Sequence, residues 1–176
     1  MLDWVLTEHD NARVLMVGHS VGGQVAGMLD NVAGIDGMVT LSAQSGHWRL
    51  QGAEQKYLVA LHMHLTFPLL ASVFGYLPWS KMGSSEDLPK GVALEWARWC
   101  RHRDYLLGDS TLPLDRYRAF EAPVLAYSFG DDKWGTPASV EPAGAGLQAI
   151  GHLGFFRPSA ARLWGDAIEW MDSRCC

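Results

Sequence analysis

The sequence has little cysteine, little charge and no signal-peptide pattern in its first residues. Only three cysteines occur in 176 residues, two of them adjacent at the end as Cys175-Cys176. They make no disulfide framework, so a reducing compartment and a cytoplasmic location are expected. The terminal pair is read as a frayed end rather than a lipidation signal. Charged residues make up 19% of the chain and the net charge is −5. With no basic block, a nucleic-acid surface is excluded. Asp3, Glu8 and Asp10 interrupt any signal-peptide layout at the N-terminus. His62 and His64 stand two apart in a helical stretch, on different sides, so no metal pair forms. No metal and no cofactor are expected. Tyr57 to Leu77 is apolar enough to raise the question of a membrane span. His62, His64 and Pro68 argue against it, and a buried helix with no membrane span is expected. Hydrophobic residues make up 48%, which together with the length fits one globular domain.

The chain is organised around Val14-Leu15-Met16-Val17-Gly18-His19-Ser20-Val21-Gly22-Gly23-Gln24. Four apolar residues in a row suit a strand covered on both faces. Gly-His-Ser-Val-Gly then matches G-x-S-x-G, the sharp strand-to-helix turn that lifts a serine hydroxyl to its tip. Gly18 and Gly22 are expected to be the positions where a Cβ would clash as the chain doubles back. The Val21 N–H and the start of the next helix point at an oxyanion formed on Ser20.

Around this stretch the pattern predicts a helix from Met1 to about Asp10, a strand over 12–17 and a helix from Val21 to about Asn31. A second strand follows over Gly37–Ser42. Strand, helix, strand at this spacing is a parallel βαβ unit. Ala43 to Trp48 leave the second strand at its carboxyl end, the edge where ligands sit in such sheets. No strand pattern occurs from His47 to about Tyr117. Leu58, Leu61, Leu65 and Leu69 mark one helical face, kinked or ended by Pro68; Val92, Trp96, Trp99 and Cys100 mark another. Cys100 reads as buried filler. Pro123–Phe129 is the third strand. Ser159 can cap a last helix with the face Leu163, Trp164, Ala167, Ile168 and Met171.

Ser20, then Asp131 or Asp132, then His152 gives the chain order Ser…Asp…His. A serine hydroxyl needs an imidazole to take its proton, and the imidazole needs a carboxylate to fix its tautomer and stabilise its cation. Spacing leaves both aspartates open. Asp132 is chosen, with Asp131 the alternative acid, because Asp131 can cap the strand end.

These residues carry a resemblance. Gly18–Gln24, Ser42-Ala43-Gln44-Ser45-Gly46, Asp87–Gly91, Glu95–Cys100 and Gly151–Arg157 together resemble a branch of the bacterial predicted α/β-hydrolases. That branch is close to the serine-aminopeptidase and monoacylglycerol-lipase-like group. The resemblance implies a partial α/β-hydrolase fold. A parallel-sheet core (1–46 and 119–176) carries a mostly helical cap insertion (47–118). It also implies hydrolysis of a small acyl-containing substrate (ester, thioester or small amide) through Ser20, Asp132 and His152. Val21 serves as oxyanion donor, and His19, Gln44, Trp96 and Trp99 are placed at the substrate pocket, the tryptophans alternatively packing the cap. Two departures are evident. The family has strands before the elbow that this chain lacks, so a truncated sheet is expected, with an exposed edge open to self-association; the alternative function is that of a truncated, catalytically impaired relative acting as a binding or partner-dependent fragment. The segment 133–151 is also too short for the family's helix and strand between acid and histidine.

Overall fold

The computed structural model describes residues 2–9, 12–82, 86–130, 132, 134 and 161–173. The chain divides into two compact units, Met1–Gln44 with Ser110–Cys176, and Ser45–Asp109. The sequence reading set the insertion at 47–118.

The first unit is built on a parallel three-stranded sheet. β1 (Leu15–His19), β2 (Gly37–Leu41) and β5 (Val124–Tyr127) lie in the order β1-β2-β5. His19 is in register with Leu41, and Leu41 with Tyr127. The next residue along each strand is a serine: Ser20, Ser42 and Ser128. β2 is central and buried throughout, as its apolar run requires. Val39, Leu41, Tyr127 and Phe129 pack against Leu163 and Ala167 of α7 (Ala161–Asp172). Those two belong to the expected apolar face of α7, whereas Ile168 of the same face is exposed. α1 (Leu2–Glu8) lies where expected, and Leu6 packs over Gly34.

The helix behind the elbow is shorter than its sequence pattern. α2 is a single turn, Val21–Gln24, followed by 3-10 turns at Ala26–Met28 and Val32–Gly34. Glycines 22, 23 and 27 weaken a helix here by up to about 1 kcal/mol each. The decisive cause comes from α6 (Asp115–Ala119) and its side chains. The Tyr117 hydroxyl donates to the Gln24 carbonyl at 2.6 Å, and Arg116 donates to the Met28 carbonyl at 2.8 Å. These are carbonyls that a continuing helix would use. The Tyr117 ring also fills the space of a side chain at Gly27, 2.2 Å from where a Cβ would stand.

In the second unit, α3 (Lys56–Leu61), a π-helical turn (His62–Thr66) and α4 (Phe67–Phe74) follow one another without a break. The Phe67 N–H reaches back to the His62 carbonyl. This wider turn receives Pro68 in the first turn of α4, where its missing N–H costs nothing. The helix ends at Gly75, whose φ of 77° is the left-handed stop open to glycine. Its buried stripe is Val59, Met63, Phe67 and Ala71. The expected face of Leu58, Leu61, Leu65 and Leu69 points outward instead, so this is not the buried helix expected from its composition. Phe67 lies 5.0 Å from the Trp79 ring and 5.9 Å from that of Trp96. α5 (Lys90–Arg101) buries Ala93, Ala97 and Cys100, while Val92 of its expected face is exposed. Two short antiparallel strands, β3 (Tyr76–Leu77) and β4 (Leu88–Pro89), occur where no strand was expected. Two-residue strands leave no periodicity to read.

This inside-out helix predicts unequal costs. Phe67→Ala loses about 3–5 kcal/mol of stability and Leu65→Ala no more than about 0.5, measured by urea unfolding. Burial also pushes the Cys100 thiol up to about 12 from its ordinary 9.0. The unfolded chain therefore gives up this proton from pH 9 while the folded chain keeps it. Stability is unaffected below pH 9 and falls above it by up to about 1.4 kcal/mol per pH unit. Unfolding at pH 9 and 10 shows a smaller loss in Cys100→Ala than in the parent chain.

Candidate active site

The site starts with the backbone of one residue. Ser20 has φ 50° and ψ −125°, a combination that sterics make costly for any residue with a Cβ, by about 1–3 kcal/mol. Its N–H donates to the Leu41 carbonyl at 2.8 Å, extending the β1–β2 ladder by one step. Its carbonyl accepts from the N–H groups of Gly23 (3.0 Å) and Gln24 (3.2 Å). The serine is thus held between the last rung of a sheet and the first turn of a helix. Val21 opens that helix, at a position for which a helix supplies no carbonyl partner.

The tightness of the turn comes from Gly18 and Gly23. A Cβ on Gly18 would stand 2.6 Å from the Gly23 Cα, and one on Gly23 would stand 2.6 Å from the Ala43 Cβ. Gly22, expected to be a crowded position, meets nothing within 4 Å. The chain doubles back onto the face of residue 23, and residue 22 turns outward.

Asp132 follows β5 on the same sheet edge. It is only 4% exposed. Its N–H donates to the Phe129 carbonyl at 3.0 Å, and its Oδ1 accepts the Trp134 N–H at 2.8 Å, an Asx turn. Gln44, on the exit from β2, donates through Nε2 to the Trp134 carbonyl at 3.1 Å. Two hydrogen bonds therefore connect the β2 exit to the aspartate turn. The carbonyl partner fixes the amide of Gln44, and its Oε1 is buried without a partner among the described residues. His19 ends β1, half-buried. Asp131 and His152 lie outside the described residues.

Residues 2–162 match the family described as the alpha/beta hydrolase family. The chain belongs to the alpha/beta hydrolase family. No curated protein and no solved structure gives a match.

In this alpha/beta hydrolase the two tryptophans named from the sequence lie in the unit Ser45–Asp109. Trp96 stacks at 5.3 Å from Trp79. The Trp99 indole N–H donates to Asp109 Oδ2 at 2.8 Å, and Arg98 contacts the same oxygen. Both rings pack inside their unit. Sequence reasoning missed one residue, Ser42, and one role, that of Gln44. Ser42 shares the φ of 50° with Ser20, and its N–H donates to the Tyr127 carbonyl at 2.9 Å. Its Oγ is buried without a partner among the described residues. Its signal was a serine directly after an apolar strand, as at Ser20. Gln44, placed at the substrate pocket from the sequence, also braces the aspartate turn, and its partner Trp134 carries no motif that could have announced this.

The two neighbouring glycines separate the turn's crowding from its helix propensity. Gly22→Ala raises stability by up to about 1 kcal/mol and keeps the fold, whereas Gly23→Ala costs about 1–3 kcal/mol through its clash with Ala43 and Gly18. Thermal unfolding of the pair checks this.

Proposed function

We propose that this chain is a serine hydrolase acting on an ester, thioester or small amide by way of an acyl-enzyme. The observation that carries the reading is Ser20 itself, a non-glycine residue held at φ 50° and ψ −125° on the carboxyl edge of a parallel sheet. Strain of this kind persists only where the surroundings impose it, and it sits at functional turns more often than elsewhere. A buried carboxylate, Asp132, at the next-but-one strand exit supports the reading. So do the family, whose name is that of a hydrolase, and the resemblance of Gly151–Arg157 to the histidine loop of the serine-aminopeptidase and monoacylglycerol-lipase-like group.

In this mechanism Ser20 Oγ attacks the acyl carbonyl carbon while His152 takes the hydroxyl proton. Asp132 stabilises the resulting imidazolium. The carbonyl oxygen gathers negative charge and is met by the Val21 N–H at the start of α2. The tetrahedral intermediate collapses as His152 returns the proton to the leaving alcohol, thiol or amine. Water then attacks the acyl carbon as His152 takes its proton, and the bond from that carbon to Ser20 Oγ breaks as His152 returns the proton to Oγ, releasing the acid and the free serine. The substrate class is a small acyl compound.

The test is labelling of the purified chain with a fluorophosphonate, read by intact mass. One adduct is expected, absent in Ser20→Ala, together with a fall in ester turnover of about 10³-fold or more in that variant. A folded chain that takes no adduct, or an adduct that survives Ser20→Ala, overturns the assignment.

A further inference from the structure

The helical run Lys56–Phe74 has two apolar faces and buries only one. Val59, Met63, Phe67 and Ala71 point inward and are nearly inaccessible, while Leu58, Leu61, Leu65, Leu69 and Val73 form an outward row, each half exposed or more. Single exposed leucines are ordinary, but a continuous row along a helix of roughly 28 Å is a surface that water disfavours. By length and composition the run is apolar enough to cross a bilayer, and only 22% of its most apolar window is buried. The buried part is the inner stripe, seated in protein beside the Trp79 and Trp96 rings. With the inner stripe held against protein, the outer row is the face left to meet a membrane surface.

Charge indicates what covers the outer row. No aspartate or glutamate occurs from Lys56 to Met82, whereas Lys56 and Lys81 bracket the stretch. Lys56 Nζ stands 5.0 Å over the ring of Tyr57. Tyr57 and Phe74 put an exposed aromatic at each end of the row. Aromatic rings and lysines flanking an apolar strip are the composition of the membrane–water interface. Within the run a second copy offers Lys56 no carboxylate, the exposed Glu54 lying two residues before it, whereas the phosphates of a bilayer supply the opposite charge along the whole face. We propose that the outward face of Lys56–Phe74 seats this unit on the surface of a bilayer containing anionic lipid, with the leucine row in the acyl boundary and the lysines at the headgroups. The inference stands independently of the chemistry at Ser20.

Co-sedimentation of the full chain with two kinds of vesicle tests it. One is phosphatidylcholine alone and the other carries about a third phosphatidylserine. The chain is expected to partition more strongly onto the mixed vesicles. Leu65→Gln with Leu69→Gln lowers that partition at least about tenfold. Lys56→Gln lowers it about fivefold on the anionic vesicles and little on the neutral ones. Leu65 and Leu69 are exposed and Lys56 is partly so, so the melting temperature is unchanged, and circular dichroism checks it. Partition onto neither vesicle, or partition unaffected by the double variant, overturns the proposal. So does lipid-independent self-association abolished by the same two substitutions, which identifies the row as a protein interface.

Discussion

The geometry of the candidate site depends on one close approach, between the backbones of Gly18 and Gly23. Residue 18 is still in β1 and residue 23 already in α2. Only with hydrogen in place of both side chains can strand and helix come this near, and only then is the residue between them forced to φ 50°. Ser20 holds that conformation because three backbone hydrogen bonds fix it from both sides. The cost of about 1–3 kcal/mol is met by the sheet and the first helical turn together.

The parts of the fold that are local in sequence were legible in it. An apolar run ending in Gly-His-Ser-Val-Gly specifies its own turn, because every contact that shapes it lies within a few residues or on the paired strand. The parallel pairing of β1 with β2 followed from the spacing of their apolar runs, and a third run marked β5, though not its place beside β2. The length of α2 was not legible. It is set by Tyr117 and Arg116, about 90 residues further along, which take carbonyls the helix would have used. The orientation of Lys56–Phe74 was not legible either. Both of its faces are apolar, so periodicity gives no basis for choosing between them, and a π-helical turn shifts their alignment midway. The choice belongs to the ring cluster around Phe67.

For the candidate site, Ser20 and its edge of the sheet could be read from the motif, and a strand-end aspartate, Asp132 or Asp131, from its place after an apolar strand. The connection between exits could not. Gln44 reaches Trp134, and Trp134 reaches Asp132, through one main-chain carbonyl and one main-chain N–H. Main-chain partners leave no trace in residue identity, so a brace made of them is invisible until the chain is folded. The crowded glycine was misplaced by one position for a related reason. The pattern names the glycines, while the direction of the turn decides which of them meets the strand.

The row His19, Leu41, Tyr127 carries the ladder one residue past each strand end, where the Ser20 and Ser42 amides bond to carbonyls of the neighbouring strand. The strained serine is therefore not a separate part mounted on a scaffold. It is the final rung of the pairing that forms the core. A fluctuation that parted β1 from β2 would release the strain in the same event, and closing the sheet would restore it. Shape at Ser20 and cohesion of the sheet thus belong to one cooperative unit of opening. The turn cannot soften by degrees while the core stays intact; it is set or lost together with the strands beneath it.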